Sequence, residues 1–229
     1  MSKKKHHKQI LLQQKHQNKK FMEKLVLSTR QYTIWQTDRD GLREVAEFVV
    51  MENYKHHSGE YKKPSAVDEI IDIYNEELTY FSSSFVFIIR NNSGKIIGSI
   101  RVFKWDMQQP LPLQKLFGIN PLTAIHSNGN CNYWHVGRFA IDSFAGISTV
   151  TLFRQLMMYA VHPIVCDDNS YMIAETDSKL LRVVNALGIE TIRLGQSVNY
   201  LASETVPIYS SKQGLMAFYN HNQHLFQAS

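Results

Sequence analysis

Two apolar segments joined by a tight turn set the strongest limit on how this chain folds. Residues 85–90 and 95–103 are rich in Phe, Val and Ile, and the residues between them read Asn-Asn-Ser-Gly. β-Branched and aromatic runs favour strands, and an Asn/Ser/Gly cluster between two such runs is typical of a turn. The pattern therefore predicts an antiparallel hairpin inside a sheet.

The hairpin is flanked by further predicted elements. Before it, the apolar spacing predicts a strand over 29–36 and helices over 42–57 and 66–78, the second with Val67, Ile70, Ile71 and Tyr74 on its apolar face. After a long connection, strands at 133–141, 171–175, 189–194 and 206–210 alternate with helices at 148–161, 178–187 and 212–226. Hairpin-linked strands followed by strand–helix–strand units predict an α/β chain with one mixed sheet and helices on both faces.

Single residues set several of these boundaries. Pro163 is expected to end the helix over 148–161, because proline removes a backbone donor and disfavours helix continuation. Ser178 is expected to cap the next helix, and Gly188 to end it. Residues 21–26 are expected to be helical or irregular.

The positive charge of the chain is concentrated near its N-terminus. The formal net charge is +5, yet seven lysines and no acidic residue lie within residues 1–20. We therefore divide the chain into a basic low-complexity tail, residues 1–20, and one domain, residues 21–229. The tail is expected either to be a solvated leader or to contact an acidic partner. The balanced charge of the domain argues against a nucleic-acid-binding protein.

The cysteines and the apolar runs bear on location. Cys131 and Cys166 are the only cysteines, and neither belongs to a Cys-x-x-Cys pair. Two isolated thiols favour a reduced, cytoplasmic protein. The sequence shows no apolar run of about 18 residues, the length that a membrane span needs. None of its ten histidines shows the spacing of a zinc site. We therefore expect a cytoplasmic protein with no transmembrane segment and no metal site.

Two strands that are predicted to be neighbours each carry an arginine in an otherwise apolar run. Arg101 lies in the hairpin, and Arg138 lies in the strand over 133–141. A buried guanidinium group is costly unless it is paired or binds an anion, and arginine can grip a carboxylate with two parallel hydrogen bonds. The pair therefore predicts either an anion-binding site or two internal ion pairs. The internal acids considered for the second case are Asp68, Asp72 and Glu175.

Two other acidic pairs are interpreted differently. Glu76-Glu77 and Asp167-Asp168 each place two carboxylates side by side in the sequence. Neighbouring acids of this kind are usually solvated, since burying a charge is costly. We interpret both pairs as solvated faces rather than as acid–base groups.

The order of several motifs in the chain resembles that of a known family. Residues 98–101 read Gly-x-x-Arg, prolines follow at positions 110 and 112, and residues 135–139 read His-x-Gly-Arg-Phe. N-acyl amino acid synthases and acyl-homoserine-lactone (autoinducer) synthases carry Gly-x-x-Arg, a proline-containing loop and Glu-x-Ser-Arg-Phe in this order. The resemblance extends from about residue 33 to residue 210. It implies a GNAT-like acyl-CoA N-acyltransferase fold, with a central mixed, mostly antiparallel sheet and helices on both faces.

Two positions depart from the family's second motif. The family's glutamate is His135 here, and its serine is Gly137. The resemblance makes that glutamate a candidate for orienting or deprotonating the amine nucleophile. A neutral histidine can accept a proton in its place, because its ordinary pKa is near 6.5. Equally, His135 could be a core residue in a chain that has lost activity.

The resemblance implies an acyl transfer reaction. A long-chain acyl group would pass from acyl carrier protein or acyl-CoA, acting as co-substrate, to the amine of an amino acid or related small molecule. We expect His135 or Glu175 to take the amine proton, and no tightly bound cofactor. We expect Arg101 and Arg138 to hold the carboxylate of the acceptor or to shape the cleft electrostatically. The other expected substrate-binding residues are aromatic: Phe103, Trp134, Phe139 and Tyr171.

The segment 142–147 bears on the identity of the donor. Many GNAT enzymes that bind coenzyme A have a glycine-rich loop here, whose N–H groups hold the pyrophosphate. This chain has one glycine in the segment, Gly146. A poor phosphate cradle favours a carrier-protein donor. Carrier proteins are acidic, so the lysine-rich tail is a candidate for steering one towards the domain.

Two other functions stay open at this point. A non-catalytic GNAT-fold protein that binds an acyl ligand needs only one closed pocket, whereas a synthase must admit two substrates. A short-chain N-acetyltransferase should show a shallow pocket closed by bulky side chains. The shape and the charge of the cleft separate these functions.

Overall fold

A computed structural model of the chain describes residues 23–57, 66–127, 129–200 and 203–226. The predicted basic tail, residues 1–20, lies outside the described residues. Within these ranges the chain forms nine strands and seven α-helices. None of the described helices is both long enough and apolar enough to cross a membrane.

The predicted elements occur in the predicted order, and the structure adds two strands and two short helices that the sequence did not predict. The strands are β1 (Lys24–Ser28), β2 (Tyr32–Gln36), β3 (Ser84–Asn91), β4 (Ile96–Lys104), β5 (Asn132–Ile141), β6 (Ser170–Asp177), β7 (Ile192–Arg193), β8 (Val198–Tyr200) and β9 (Ser203–Ser211). The helices are α1 (Leu42–His57), α2 (Ala66–Tyr80), α3 (Pro112–Phe117), α4 (Pro121–Ala124), α5 (Thr149–Cys166), α6 (Ser178–Ala186) and α7 (Lys212–Asn222).

The strands form one mixed, mostly antiparallel sheet, as the sequence predicts. Their order is β1-β2-β3-β4-β5-β6-β9-β7, and β8 pairs with β9. β3 and β4 form the predicted hairpin, in which Phe87 lies opposite Ile100. β5 and β6 are the one parallel pair among the described strands. Because α5 connects them, this pair is a strand–helix–strand unit of the predicted kind.

Helices cover both faces of the sheet. Successive side chains of a strand point to opposite faces, and β3 shows the result. Val86 and Ile88 join the apolar core beneath α1 and α2, whereas Phe87 and Ile89 join the larger core that contains α5 and α7. The two-sided packing that the sequence predicts is therefore confirmed.

Helix α5 continues past Pro163 and ends at Cys166, so the expected stop was wrong. Proline removes one helical hydrogen bond. However, the residues after it, Ile164 and Val165, are 0% and 7% exposed within the core. The hydroxyl group of Ser170 also donates a hydrogen bond of 2.6 Å to the Ile164 carbonyl. Apolar burial and this bond outweigh the loss of one backbone hydrogen bond.

The start of α6 also differs from the prediction. Asp177, and not Ser178, caps the helix, because its Oδ1 accepts hydrogen bonds from the backbone N–H groups of Lys179 and Leu180 at 2.7 and 2.8 Å. A carboxylate near the positive end of the helix dipole is favourable. Gly188 ends the helical segment with a φ of +90°, as predicted.

The first described element is a strand, so the expectation of a helical or irregular segment over 21–26 was wrong where the chain is described. β1 pairs with β2 in antiparallel register, with Leu25 opposite Trp35. The hydroxyl oxygen of Thr29 accepts a hydrogen bond from the Tyr32 N–H group at 3.0 Å. This turn shortens the strand predicted over 29–36 to β2, because the first residues of that range reverse the chain. Near the other end of the chain, the strand predicted over 189–194 is limited to β7.

Candidate active site

β5 and β6 pair over only the first half of β5. Their register runs from Asn132 opposite Ser170 to Val136 opposite Ala174. Beyond Val136 the two strands separate, and a cavity of about 270 Å³ lies at this gap. Residues of α3 in the long connection, including Lys115, also line the cavity. The sheet therefore opens at the second arginine-bearing strand.

A β-bulge in β5 shapes one wall of this gap. Ser99 lies opposite Ala140 and Arg101 lies opposite Gly137, so β5 has one residue more than β4 between these pairs. Arg138 takes up the extra length with a φ of +54°, a conformation that is uncommon for a residue other than glycine. The Ser99 hydroxyl group donates a hydrogen bond of 2.8 Å to the Arg138 carbonyl. Such bulges often redirect a side chain next to a functional site.

The two arginines meet at one carboxylate. Arg101 Nη1 donates to Glu77 Oε1 at 2.5 Å, and Arg138 Nε donates to the same oxygen at 2.7 Å. Glu76 Oε2 lies 3.2 Å from Arg138 Nη2. Arg101 and Glu77 have side chains that are each 1% exposed. Of the two arrangements predicted for these arginines, the structure therefore shows internal ion pairs. The acids that form them are Glu76 and Glu77, which were not among the acids considered.

His135 connects this cluster to Glu175. Its Nδ1 lies 3.0 Å from Arg101 Nη2, and its Nε2 lies 2.8 Å from Glu175 Oε2. Glu175 directly follows Ala174, the last residue of β6 that pairs with β5. The carboxylate thus lies where the two strands begin to separate, and it lines the cavity.

Several buried polar atoms of this cluster have no hydrogen-bond partner among the described residues. They are Glu76 Oε1, Glu77 Oε2, Arg101 Nε and Glu175 Oε1. Buried polar groups are usually satisfied, and groups that are not mark a site of strain, catalysis or ligand binding. Their concentration around one cavity distinguishes this cluster from an ordinary structural ion pair.

The charges of the cluster shift the ionisation of its members. Burial alone would raise the pKa of Glu76, but the attraction of Arg138 and Arg101 outweighs burial and lowers it. Burial alone would lower the pKa of Arg138, yet Glu77 and Glu76 raise it. Burial raises the pKa of Tyr200, and Arg138, which donates a hydrogen bond to its hydroxyl group, offsets only part of this effect. Burial together with Glu76 raises the pKa of Tyr80 to about 12. Glu76 and Arg138 are therefore charged near neutral pH, and Tyr80 and Tyr200 keep their protons.

Five of the residues expected at the site line the cavity. They are Arg101, His135, Arg138, Phe139 and Glu175. The structure brings them together because β4, β5 and β6 are consecutive in the sheet.

The other three expected residues do not line this cavity. Phe103 is buried and stacks on Tyr80 and on the ring of His135. Trp134 donates a hydrogen bond from its indole N–H group to Asp167 Oδ2 at 2.8 Å; as the neighbour of His135 in β5, it faces the other side of the sheet. Tyr171 precedes Glu175 by four residues, a distance of about 13 Å along a strand. Its ring stacks on Tyr133 and lies tilted against Tyr209.

The sequence interpretation missed Glu76 and Glu77, and the expectation that they form a solvated face was wrong. The reason is the orientation of α2. Its buried residues are Ala66, Ile73, Glu77 and Tyr80, whereas Val67 of the predicted apolar face is 61% exposed. The spacing of Ile73, Glu77 and Tyr80 follows the i, i+4, i+7 pattern of one helix face. An acid between apolar residues at this spacing was the available signal.

The segment 142–147, which the sequence predicts to be a poor phosphate cradle, is partly filled by its own residues. Asp142 Oδ1 accepts a hydrogen bond from the Phe144 N–H group at 3.0 Å, and the Asp142 carbonyl accepts one from Ala145 N–H at 3.2 Å. Asp142 Oδ2 also lies 3.1 Å from the Lys95 ammonium group. A carboxylate and two engaged N–H groups suit an anionic ligand poorly.

Comparison with solved structures identifies the architecture. An acetyltransferase of the GNAT family from Staphylococcus aureus is 14% identical, with a TM-score of 0.51, and the alignment covers 79% of this chain and 99% of that one. The fold is that of the GNAT acyltransferases. No protein-family model matches the sequence, and no curated protein matches it.

Two synthases share this GNAT fold with the chain. The N-acyl amino acid synthase FeeM, from uncultured soil microbes, is 15% identical with a TM-score of 0.54, covering 81% of this chain and 92% of its own. The coenzyme-A-dependent acyl-homoserine-lactone synthase BjaI, solved with SAM and isopentyl-CoA, is 14% identical with a TM-score of 0.55, covering 80% and 82%. The resemblance derived from the motifs is therefore confirmed at the level of the fold.

Proposed function

We propose that this chain is an N-acyltransferase that moves an acyl group from a thioester to the amine of a small molecule. One observation carries the proposal. Glu175, a carboxylate with an unpartnered buried oxygen, lies where β5 and β6 separate. A base at the opening of a split sheet can reach a ligand in the gap, and FeeM and BjaI, which share the fold, are acyl-transferring synthases.

The first chemical requirement is an unprotonated amine. An ammonium group has no lone pair, so the acceptor must lose a proton before or during attack on the thioester carbonyl. Glu175 is the residue that we assign as this base, acting directly or through water. Backbone N–H groups within 137–140, which lie beyond the paired register with β6, supply candidate donors for the oxyanion. The reaction then needs no covalent enzyme intermediate.

The second requirement is a proton for the leaving thiolate. When the tetrahedral intermediate collapses, the C–S bond breaks and its electron pair stays on sulfur. Tyr200 lines the cavity, and burial raises its pKa, so it keeps a proton near neutral pH. We assign Tyr200 as the donor to sulfur. The proton that Glu175 takes from the amine replaces it, and the products are an amide and a free thiol.

The charge of the site favours an amine as acceptor. The three acids Glu76, Glu77 and Glu175 face two arginines, so the cluster has one carboxyl group more than it has guanidinium groups. Both arginines already pair with glutamates, so we do not propose that they bind the carboxylate of an amino acid. Lys115, which is exposed and lines the cavity, is the better candidate for that carboxylate. An amino acid can then place its amine at Glu175 and its carboxylate at Lys115.

The opposite wall of the cavity suits an acyl chain. Apolar side chains from α5, α6 and three strands line it: Phe139, Phe153, Met157, Met172, Val184 and Ile208. Burying a methylene group against such a wall contributes about 0.8 kcal/mol, so a longer chain should bind more tightly until the wall is filled. This arrangement, with two distinct ends, favours the synthase over a protein that only binds an acyl ligand.

The donor that we propose is an acylated carrier protein. The N–H groups at Phe144 and Ala145 are engaged by Asp142, which leaves the coenzyme A pyrophosphate without its usual site. The lysine-rich residues 1–20 would steer an acidic carrier protein through long-range attraction. The alternative donor is acyl-CoA, which BjaI uses.

The test supplies carrier-protein and coenzyme A thioesters of several chain lengths with a mixture of amino acids. N-acyl products are measured by mass spectrometry and the free thiol is measured separately. We expect Glu175→Gln to lower kcat by about 10²–10⁴-fold, the usual contribution of a general base. Glu190→Gln, at an exposed position, is the matched control and should leave kcat unchanged.

Three outcomes would contradict the proposal. Release of thiol without an acylated amine would indicate a hydrolase. A tightly held acyl ligand that is never turned over would indicate a binding protein. Full activity of the Glu175→Gln variant would remove Glu175 as the base.

A further inference from the structure

Building on the proposed function, we propose that His135 is a positioning residue and not the base. In this arrangement a hydrogen bond from Arg101 holds the imidazole as the neutral tautomer with its proton on Nε2. The Nε2–H group then donates a hydrogen bond to Glu175 and orients the carboxylate so that Oε1 faces the acceptor amine. Arg101, His135 and Glu175 lie on three consecutive strands, β4, β5 and β6. The chain of contacts crosses the sheet and ends at the cavity.

The tautomer follows from the partners of the ring. A guanidinium group only donates hydrogen bonds, because it has no acceptor atom at any accessible pH. Arg101 Nη2 lies 3.0 Å from His135 Nδ1, so Nδ1 must be the acceptor and carry no proton. A neutral imidazole then has its proton on Nε2, which lies 2.8 Å from Glu175 Oε2. Nε2 therefore donates to the carboxylate.

A protonated imidazole would fit this place poorly. Its second proton, on Nδ1, would point at the Arg101 guanidinium group, and two donors with like charges would be in contact. The opposing charges in the cluster, Glu77 and Arg101, are already paired at 2.5 Å. Since both ring nitrogens of His135 are engaged, the ring has no free nitrogen with which to take a proton from a substrate.

The contact leaves the two oxygens of Glu175 in different states. Oε2 accepts the hydrogen bond from His135, whereas Oε1 is buried and has no partner among the described residues. A carboxylate that is held at one oxygen loses rotational freedom before the substrate arrives. His135 thus acts on the reaction through the orientation of Glu175.

Gly137 makes this arrangement possible. It lies two residues after His135 and so on the same face of β5. A methyl group at Gly137 would lie 3.0 Å from His135 Cε1 and 3.1 Å from Arg101 Nη2, closer than ordinary packing allows. Phe103 bounds the ring on another side, with its centroid 5.1 Å from that of His135. The two departures from the family motif therefore depend on each other, because the ring of His135 needs the space that Gly137 leaves.

The tautomer can be measured without any turnover. In protein labelled with ¹⁵N-histidine, nitrogen shifts distinguish a protonated ring nitrogen from an unprotonated one. We expect His135 at pH 7 to show an unprotonated Nδ1 and a protonated Nε2, with its signals assigned by their loss in His135→Gln. A proton on Nδ1, alone or together with one on Nε2, would overturn the assignment.

Kinetics of His135 variants test the role. Glutamine offers one acceptor and one donor, so His135→Gln should keep kcat within about tenfold. Leucine offers neither, so His135→Leu should lower kcat on the order of 10²-fold, the effect expected of a small misplacement, while KM changes little. His221→Gln, at an exposed position on α7, is the matched control.

Gly137→Ala provides a variant that keeps every polar group. It should lower kcat in the natural chain and cost less in a His135→Ala background, because the crowded ring is then absent. Additive effects of the two substitutions would contradict the linkage. Undiminished kcat in His135→Leu would overturn the positioning role and leave the acyltransferase standing. If the natural chain acylates no amine, the proposed function fails, and the nitrogen shifts still decide the tautomer.

Discussion

Two clusters of arginine and glutamate in this protein use the same chemistry in different surroundings. Arg90, in β3, donates to Glu44 at 2.7 and 2.8 Å and to Glu23 at 3.0 Å. It also donates to the Gly94 carbonyl at 2.9 Å. Glu44 is 49% exposed, and water can therefore solvate its carboxylate. This cluster is a surface ion pair that ties α1 to β3.

The Glu77 cluster is buried and incompletely satisfied. One oxygen of Glu77 serves both Arg101 and Arg138, while its other oxygen has no partner among the described residues. In the sequence, Arg90 and Arg101 both belong to apolar runs that predict strands. What separates them is burial beside a cavity with hydrogen-bonding capacity left over. An arginine in a strand is therefore not in itself a sign of a functional site.

The largest expected effect on stability comes from Glu77→Ala. The substitution leaves two guanidinium groups in the interior without their shared carboxylate. Removing one partner of a buried ion pair costs about 3–5 kcal/mol. Urea denaturation should show this loss in the free energy of unfolding. Glu77→Gln keeps an acceptor oxygen and should recover only part of it; a loss below about 1 kcal/mol would show that the buried cluster behaves like the surface one.

A smaller effect is expected on stability in acid. Arg138 and Arg101 outweigh burial and lower the pKa of Glu76 from its ordinary value of 4.5. A carboxyl group whose pKa is lowered by folding stabilises the protein above its unfolded-state pKa, and this contribution is lost as the pH falls through the folded-state pKa. Urea midpoints measured from pH 7 to pH 3 should fall more steeply for the natural chain than for Glu76→Gln. Parallel curves would mean that Glu76 is not held by the arginines.

The smallest effect is expected from Glu44→Ala. An exposed ion pair contributes at most about 1 kcal/mol, and Arg90 keeps Glu23 and the Gly94 carbonyl as partners. The loss should shrink further as salt is added, because screening weakens interactions between exposed charges. Acyl transfer should be unchanged. A loss equal to that of Glu77→Ala would remove the distinction between the two clusters.

Part of the site could be predicted because it depends on strand neighbours. The hairpin placed Arg101 in an interior strand, and the motif around Arg138 indicated the adjoining one. Glu175 was expected as a base because of the mechanism that the resemblance to the synthases implies. The partners of the arginines were not found, because α2 is rotated so that Glu77 faces inwards while Val67 faces solvent. The predicted and the buried face of α2 lie roughly 100° apart around the helix axis, about one residue's turn, and the spacing of its apolar residues does not decide between them.

Local patterns in the chain were sufficient for the order of the elements, the two-sided sheet and the arginine-bearing strands, since apolar spacing and turn residues act over a few positions. The gap between β5 and β6 arises from contacts between distant segments, in which a bulge at Arg138 meets a parallel register that ends at Val136. The two hydrogen-bond partners of the His135 ring, Arg101 and Glu175, likewise lie 34 and 40 residues away in the sequence. Burial and charge pairing act through space, so the chemistry of this site emerges only when the strands come together.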